Sequence, residues 1–265
     1  MRRRVLLSAA VSAVAAPLLS PPAQAAVRAL PNAHAHNDFE HPRPLFDALE
    51  RGFTSIEADV WVVGDQLLVG HEPWQLRSAR TLQSLYLDPL RRNPSPVNLL
   101  VDVKTGAEPG WARLHSVLQG CGDLLTTWSA DGTRTPGAVT VVVTGNRAIE
   151  SMARQAVRSA AVEGRAQDAT GPCSAEFMPE IGVDWSTTYR WRGEGPMPAG
   201  ERAALHGLVA ATHRAGRRLR FWATPDEPGP ARTAVWSELL AAGVDRLNTD
   251  DLDGLAQFLT GQGRR

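Results

Sequence analysis

Two carboxylates alternate along a stretch of the chain that is otherwise apolar and rich in β-branched residues. The segment SIEADV carries Glu57 and Asp59 two residues apart. Successive side chains of a β-strand point to opposite faces, so a strand here places both carboxylates on one face. Histidines flank the pair in sequence. His34 and His36 precede it, and His71 follows it after another short apolar run.

The side chains of this stretch suit a metal-assisted reaction at a phosphate. Carboxylates supply hard oxygen ligands to Mg2+ or Ca2+, and histidine is the side chain best suited to move protons near neutral pH. Taken singly, paired acids on a strand are typical of a solvated face, and a lone histidine is typical of a structural role. Two histidines around two acids are instead the combination that metal-assisted phosphodiester cleavage requires.

A third acid and an unusual lysine follow in the segment VNLLVDVKT. Asp102 lies near the end of this apolar strand, where a carboxylate is costly unless it is paired or bound to a metal. Lys104 shares its face and is the only lysine of the chain, against 27 arginines. A compact ammonium suits a phosphate oxygen or a ligating carboxylate. A simple ion pair between Asp102 and Lys104 is the alternative interpretation.

These segments resemble the PLC-like phosphodiesterase superfamily of TIM barrels, which includes glycerophosphodiester phosphodiesterases and sphingomyelinase D-type phospholipases. The likeness is carried by HAHND at 34–38, EADV at 57–60 and VGHE at 69–72. It is closest to the phosphodiesterase-like proteins of the altered-inheritance-of-mitochondria type and their bacterial relatives. DVKT at 102–105 resembles a strand of the sphingomyelinase D-type enzymes that carries their third metal ligand and a lysine.

The resemblance implies a set of roles. Glu57, Asp59 and Asp102 are expected to hold one divalent cation, Mg2+ or Ca2+. His36 and His71 are expected to act as the acid and base that move protons on either side of the phosphorus.

Further residues are expected to contact the substrate. Lys104 neutralises charge on the phosphoryl oxygens, and Asn37 adjoins the first histidine. FWAT and NTD in the last third resemble strand ends of glycerophosphodiesterases, so Trp222 is expected to line the pocket, although ordinary core packing is the alternative. His34 is expected to shape the pocket floor. It is also the rival of His36 for the first catalytic position.

Departures from these families bear on the substrate. The glycerophosphodiesterase pattern His-Arg-Gly is absent, because His36 is followed by Asn37 and Asp38. The fold and the reaction class therefore carry over better than the substrate. The expected function is a phosphoric diester hydrolase acting on a phospholipid or glycerophosphodiester-type substrate. A lyase that gives a cyclic phosphate, a hydrolase of another substrate, and a non-catalytic barrel that binds a phosphorylated ligand are the alternatives.

The first 25 residues have the pattern of a secretory signal. A basic RRR is followed by an apolar stretch and by AQA, a typical cleavage site. Paired arginines before VL suggest the twin-arginine route. Removal of 1–25 takes away three arginines and no acid, so the formal net charge falls from +0 to −3. That balance gives no sign of a nucleic-acid partner.

Residues 26–265 are expected to form one secreted, monomeric domain. Apolar strand-like runs alternate with helical patterns along it, which predicts a (β/α)8 barrel. A doubly wound open sheet is the alternative, but no glycine-rich nucleotide loop is present. Cys121 and Cys173 are the only cysteines. In an exported protein a disulfide between them is slightly favoured over two free thiols.

Overall fold

The computed structural model describes residues 27–262, so the expected signal segment, 1–25, lies outside the described residues. The strands of the described chain are β1 (Leu30–Ala35), β2 (Phe53–Val63), β3 (Gln66–Val69), β4 (Val97–Val103), β5 (Thr127–Ser129), β6 (Arg134–Thr135), β7 (Val139–Gly145), β8 (Val157–Arg158), β9 (Ala161–Gly164), β10 (Glu180–Asp184), β11 (Arg218–Trp222) and β12 (Arg246–Thr249). The α-helices are α1 (Phe46–Glu50), α2 (Asp88–Arg92), α3 (Ala107–Gln119), α4 (Ile149–Ala153), α5 (Trp185–Thr188), α6 (Ala199–Arg214), α7 (Pro230–Ala242) and α8 (Leu252–Gln262).

Eight parallel strands close into a barrel in the order β1, β2, β4, β7, β9, β10, β11, β12. Closure occurs at β1, where His34 is in register with Ser55 of β2 and with Asn248 of β12. Helices or short helical turns connect the strands. The predicted (β/α)8 fold is therefore confirmed, and the C-terminal ends of the strands form the end at which barrel enzymes carry their sites.

Alternation along the strands divides apolar from polar side chains. Ile56, Ala58 and Val60 of β2 belong to the main apolar core, whereas Glu57 and Asp59 between them face the barrel interior. A smaller apolar cluster of Leu100, Trp128, Val142 and Ala161 lies apart from this core. The burial of both apolar clusters stabilises the barrel, which holds the charged groups inside it.

The chain after β7 leaves the barrel for a short distance. Helix α4 ends at Ala153, and Val157 begins β8, which pairs with β5 in a separate three-stranded sheet. The Arg158 guanidinium packs over the rings of Trp128 and Phe177, 4.9 Å from each centroid. These contacts favour an extended chain there over a further helical turn.

The expected disulfide is not formed. Cys121 is a buried free thiol and Cys173 a half-buried one. Burial raises the pKa of the Cys121 thiol, whose Sγ lies 3.6 Å from the Val117 carbonyl oxygen. Separately, none of the helices formed by residues 27–262 is both long and apolar enough to cross a bilayer.

Candidate active site

Three carboxylates converge at the C-terminal end of the barrel. Asp59 of β2 and Asp102 of β4 are directly in register, and Glu57 is two residues before Asp59 on the same face. One oxygen from each lies within 4.8 Å of the others. Asp59 Oδ1 and Asp102 Oδ1 are buried and have no hydrogen-bond partner among the described residues. A cluster of three carboxylates that includes unpaired hard oxygens is the kind of ligand set that binds Mg2+ or Ca2+, so these residues fit the expected cation.

Lys104 bridges two of these acids. Its Nζ lies 3.0 Å from Asp59 Oδ2 and 2.9 Å from Asp102 Oδ2. The lysine therefore occupies the Oδ2 atoms and leaves the Oδ1 atoms for a cation. Burial and the charges of Glu57 and Asp102 raise the pKa of Asp59 to about 6. A divalent cation would offset that repulsion.

His71 reaches the cluster from outside the barrel wall. It follows β3, which pairs antiparallel with β2 and is not a barrel strand. The apolar run before His71 forms a hairpin with the acidic strand. This hairpin places His71 Nδ1 2.8 Å from Asp59 Oδ2, with the ring half-exposed. With Nδ1 held by the carboxylate, Nε2 is the nitrogen that remains for a substrate.

His36 approaches from β1 and has its own carboxylate partner. Its Nδ1 lies 2.8 Å from Asp250 Oδ1, and the Asn37 amide donates to the same oxygen at 3.3 Å. Asp226 fixes this arrangement by accepting a hydrogen bond of 2.6 Å from the Asp250 backbone N–H. Burial lowers the pKa of His36, but the hydrogen bond to Asp250 and the charge of Glu57 outweigh it and raise the pKa above the ordinary value.

His34 is placed differently from its neighbour. It is fully buried, with Nδ1 2.7 Å from Ser55 Oγ and Nε2 3.0 Å from Glu57 Oε2. Burial lowers its pKa to about 4. Neither His34 nor Asn37 lines the cavity. Instead of the expected substrate contacts, His34 orients Glu57, and Asn37 supports the partner of His36.

Sequence reasoning missed the arginine at the centre of the barrel. Arg220 of β11 is buried, with Nη1 3.3 Å from Glu57 Oε2 and 2.8 Å from Asn248 Oδ1, and Nε 3.0 Å from Glu163 Oε1. Although burial opposes it, Arg220 together with the hydrogen bond from His34 holds the pKa of Glu57 below its usual range. An arginine in a short apolar strand was the available signal. It was obscured by the large number of arginines in the chain.

These groups surround a cavity of about 280 Å3. Its lining consists of His36, Glu57, Asp59, His71, Asp102, Lys104, Thr144, Gly145, Arg165, Arg220 and Trp222. Gly145 adopts φ +68°, and a Cβ there would collide with Asp102 Oδ1, so only glycine leaves that oxygen its place. The expected pocket position of Trp222 matches the lining. Glu163 lies behind the wall, fully buried, and Glu180 lies at the other end of the barrel.

Two protein families match this chain, one near each end of the sequence. Residues 24–93 match the AIM6-like phosphodiesterase domain, and this segment contains His36, both acids of β2 and His71. Residues 218–253 match the glycerophosphoryl diester phosphodiesterase family, and they contain Arg220 and Trp222. Both segments meet at the cavity.

Two relatives match most of the length of this chain. A homolog of altered inheritance of mitochondria protein 6 from Arthroderma benhamiae is 31% identical over 258 residues, which covers 83% of this chain and 81% of that protein. The Eremothecium gossypii protein of that name is 30% identical over 274 residues, which covers 88% and 70%.

A solved structure supports the architecture. The chain is similar to a glycerophosphoryl diester phosphodiesterase from Parabacteroides distasonis with a TM-score of 0.57, over 88% of this chain and 87% of that one. The identity is 13%, so this likeness shows the fold alone. Together with the sequence relatives, it supports the resemblance to PLC-like phosphodiesterases. The chain belongs to the family of altered inheritance of mitochondria protein 6, within the glycerophosphodiester phosphodiesterase-like superfamily.

Proposed function

We propose that the chain is an exported, metal-dependent phosphoric diester hydrolase that acts on a phospholipid or glycerophosphodiester-type substrate. One observation carries the proposal. Two histidines, each anchored through Nδ1 to a carboxylate at 2.8 Å, flank one cluster of three carboxylates in a single cavity. Binding of a phosphate alone does not require an anchored pair of proton carriers, which favours catalysis over a purely binding barrel.

The carboxylate cluster defines where the diester lies. Glu57, Asp59 and Asp102 would hold one divalent cation, Mg2+ or Ca2+, which when bound neutralises charge that builds on the phosphoryl oxygens. The Lys104 ammonium, already beside two of the acids, supplies a second positive charge to the same oxygens. Arg220 and His34 keep the Glu57 carboxylate ionised and fixed.

The two histidines then move the protons. A water oxygen attacks the phosphorus, and its proton passes to Nε2 of one histidine. The bond from phosphorus to the leaving oxygen breaks, and Nε2 of the other histidine gives its proton to that alkoxide. The products are a phosphomonoester and an alcohol. Asp250 and Asp59 hold the rings of His36 and His71 in the tautomers that this exchange needs.

A product analysis tests the proposal and distinguishes hydrolysis from the lyase reaction that gives a cyclic phosphate. The purified protein is incubated with glycerophosphodiesters and lysophospholipids in water enriched in 18O, and the products are followed by 31P NMR. Hydrolysis gives a phosphomonoester that carries one 18O atom. A cyclic phosphate without 18O identifies attack by a substrate hydroxyl and a lyase. An unchanged spectrum for every diester, with Mg2+ or Ca2+ supplied, contradicts the proposal.

A further inference from the structure

The cavity has a second charged wall that the proposed reaction does not use. The acids that line the cavity all lie on β2 and β4. Arg165 lines the same cavity from the end of β9, two strands further round the barrel from β4. Its guanidinium enters the cavity from the β7–β9 side of the wall, beside Thr144, which is in register with Asp102.

Arg165 is held in place from behind. Its Nη1 donates to Thr144 Oγ1 and to Glu163 Oε2, each at 3.2 Å, and its backbone N–H donates to Asp168 Oδ2 at 2.8 Å. Among the described residues, Nη2 has only a contact of 3.5 Å, with the Gly145 carbonyl oxygen. About a third of the side chain is exposed. A fixed guanidinium with spare donors facing a cavity is a site for an anion.

The charge behind the arginine is shared. The fully buried Glu163 carboxylate pairs with Arg165 at 3.2 Å and with Arg220 at 3.0 Å, while Arg220 also pairs with Glu57 at 3.3 Å. Arg165 therefore shares its acid with a second guanidinium and is neutralised only in part. A cationic headgroup such as choline would be repelled from it.

We propose that Arg165 forms a subsite for a second anionic group on the substrate, so that the preferred diesters carry an acidic headgroup rather than a neutral or cationic one. This inference rests on the proposed function for the position of the scissile phosphate at the carboxylate cluster. The second anion lies toward β9 and accepts hydrogen bonds from the Arg165 guanidinium. Trp222 supplies an apolar surface at the same cavity for the carbon atoms between the two charges.

Ligand binding to a slow variant tests the subsite directly. Isothermal titration calorimetry on His71→Ala, with Mg2+ present, compares bis(glycerophospho)glycerol, glycerophosphoglycerol and glycerophosphocholine. We expect the first to bind about tenfold or more tighter than the second, well beyond the statistical gain of two equivalent diesters, and the third to bind most weakly. Adding Arg165→Gln removes this preference, whereas Arg165→Lys retains part of it.

Arg190→Gln is the matched control. Arg190 is exposed and lies in the segment after β10, at the same end of the barrel, but it does not line the cavity. Its removal should leave the preference unchanged. Equal binding of the three diesters, or a preference that survives Arg165→Gln, overturns the inference. If the binding preference is found but the unsubstituted protein turns over no diester, the proposed function is refuted and the subsite stands.

Discussion

The two ends of the barrel both carry charged cavities, and the larger one is not the candidate active site. The cavity at the strand beginnings has a volume of about 530 Å3, against about 280 Å3 at the strand ends. Its acid Glu180 is paired with Arg246, Nε to Oε2 at 3.4 Å, and no histidine lines it among the described residues. At the other end, three carboxylates converge beside two histidines, and two of these carboxylates keep a buried oxygen without a donor among the described residues. Converging unpaired groups, not size, distinguish a chemical site.

The charged side chains at the two ends of the barrel have different roles. Arg246 donates to the Pro31 carbonyl oxygen as well as pairing with Glu180, so it ties β12 to β1 where the barrel closes. Glu180 Oε1 at the strand beginnings lacks a partner in the described chain, as do Asp59 Oδ1 and Asp102 Oδ1 at the strand ends. Only Asp59 and Asp102 belong, with Glu57, to a cluster of three possible metal ligands among the described residues. Charges at the strand beginnings stabilise the fold, and charges at the strand ends are available to a ligand.

The largest expected effect follows from changing an acid at each end. Glu57→Gln or Asp59→Asn should abolish binding of Mg2+ and all turnover while the protein stays folded, because each removes a charged ligand from a three-carboxylate site. Calorimetric titration with Mg2+ and circular dichroism measure the two properties. Glu180→Gln is the matched control and should retain both binding and turnover. Unchanged affinity for Mg2+ in Glu57→Gln would show that the cluster is not the metal site.

The next largest effect concerns the histidines. His36→Ala and His71→Ala should each lower kcat/KM by about 10^2- to 10^4-fold, the usual contribution of one positioned proton carrier. His213→Ala is the control, because His213 on α6 is also 2.8 Å from an aspartate oxygen but lies far from the cavity lining. His34→Ala should cost less than either, since His34 acts only through Glu57. Inactivation by His34→Ala with mild loss in His36→Ala would reverse the assignment.

A smaller effect should appear in the pH profile. One histidine must be neutral and the other charged, so kcat/KM should follow a bell. Asp250 helps to raise the pKa of His36. Asp250→Asn should therefore lower that pKa and move one limb of the bell to lower pH. Movement of the acidic limb identifies His36 as the base, and movement of the alkaline limb identifies it as the acid. Two unmoved limbs would exclude His36 from the reaction.

The smallest effect on activity is expected at the strand beginnings. Arg246→Met leaves the Glu180 carboxylate buried without its partner, so the free energy of unfolding should fall by about 3 kcal/mol. Denaturant titration measures that loss. The kcat/KM of the folded fraction should stay within about twofold of the unsubstituted chain, because within residues 27–262 Arg246 bonds to Glu180 and Pro31 and does not line the other cavity. A loss of turnover comparable to that of the histidine variants would mean that the two ends are not independent.

Local sequence patterns anticipated the acidic side of the site. Spacing by two on a strand brought Glu57 and Asp59 to one face, and the Asp102 strand was recognisable by its apolar run. Periodicity cannot distinguish a barrel strand from a hairpin strand, so the sequence could not show that the strand before His71 lies outside the barrel. The two-residue strands β6 and β8 are too short to leave a pattern.

The basic side of the site depends on pairing between distant segments. Arg220 meets Glu57 across 163 residues and Asp250 meets His36 across 214. No local pattern encodes such contacts, and 27 arginines give no means of ranking one over another. The disulfide failed for a similar reason. Two cysteines and export permit a bridge, but only the fold determines whether the thiols meet.

The most direct measurement is hydrolysis of bis(p-nitrophenyl) phosphate by the purified chain, before and after exhaustive metal removal with EDTA. Three converging carboxylates, two of them with an unpaired oxygen, predict turnover that disappears with the metal and returns when Mg2+ or Ca2+ is added. Glu57→Gln should remain inactive under both conditions. Undiminished turnover in EDTA would contradict metal dependence, and absence of turnover with either metal would contradict phosphodiester hydrolysis itself.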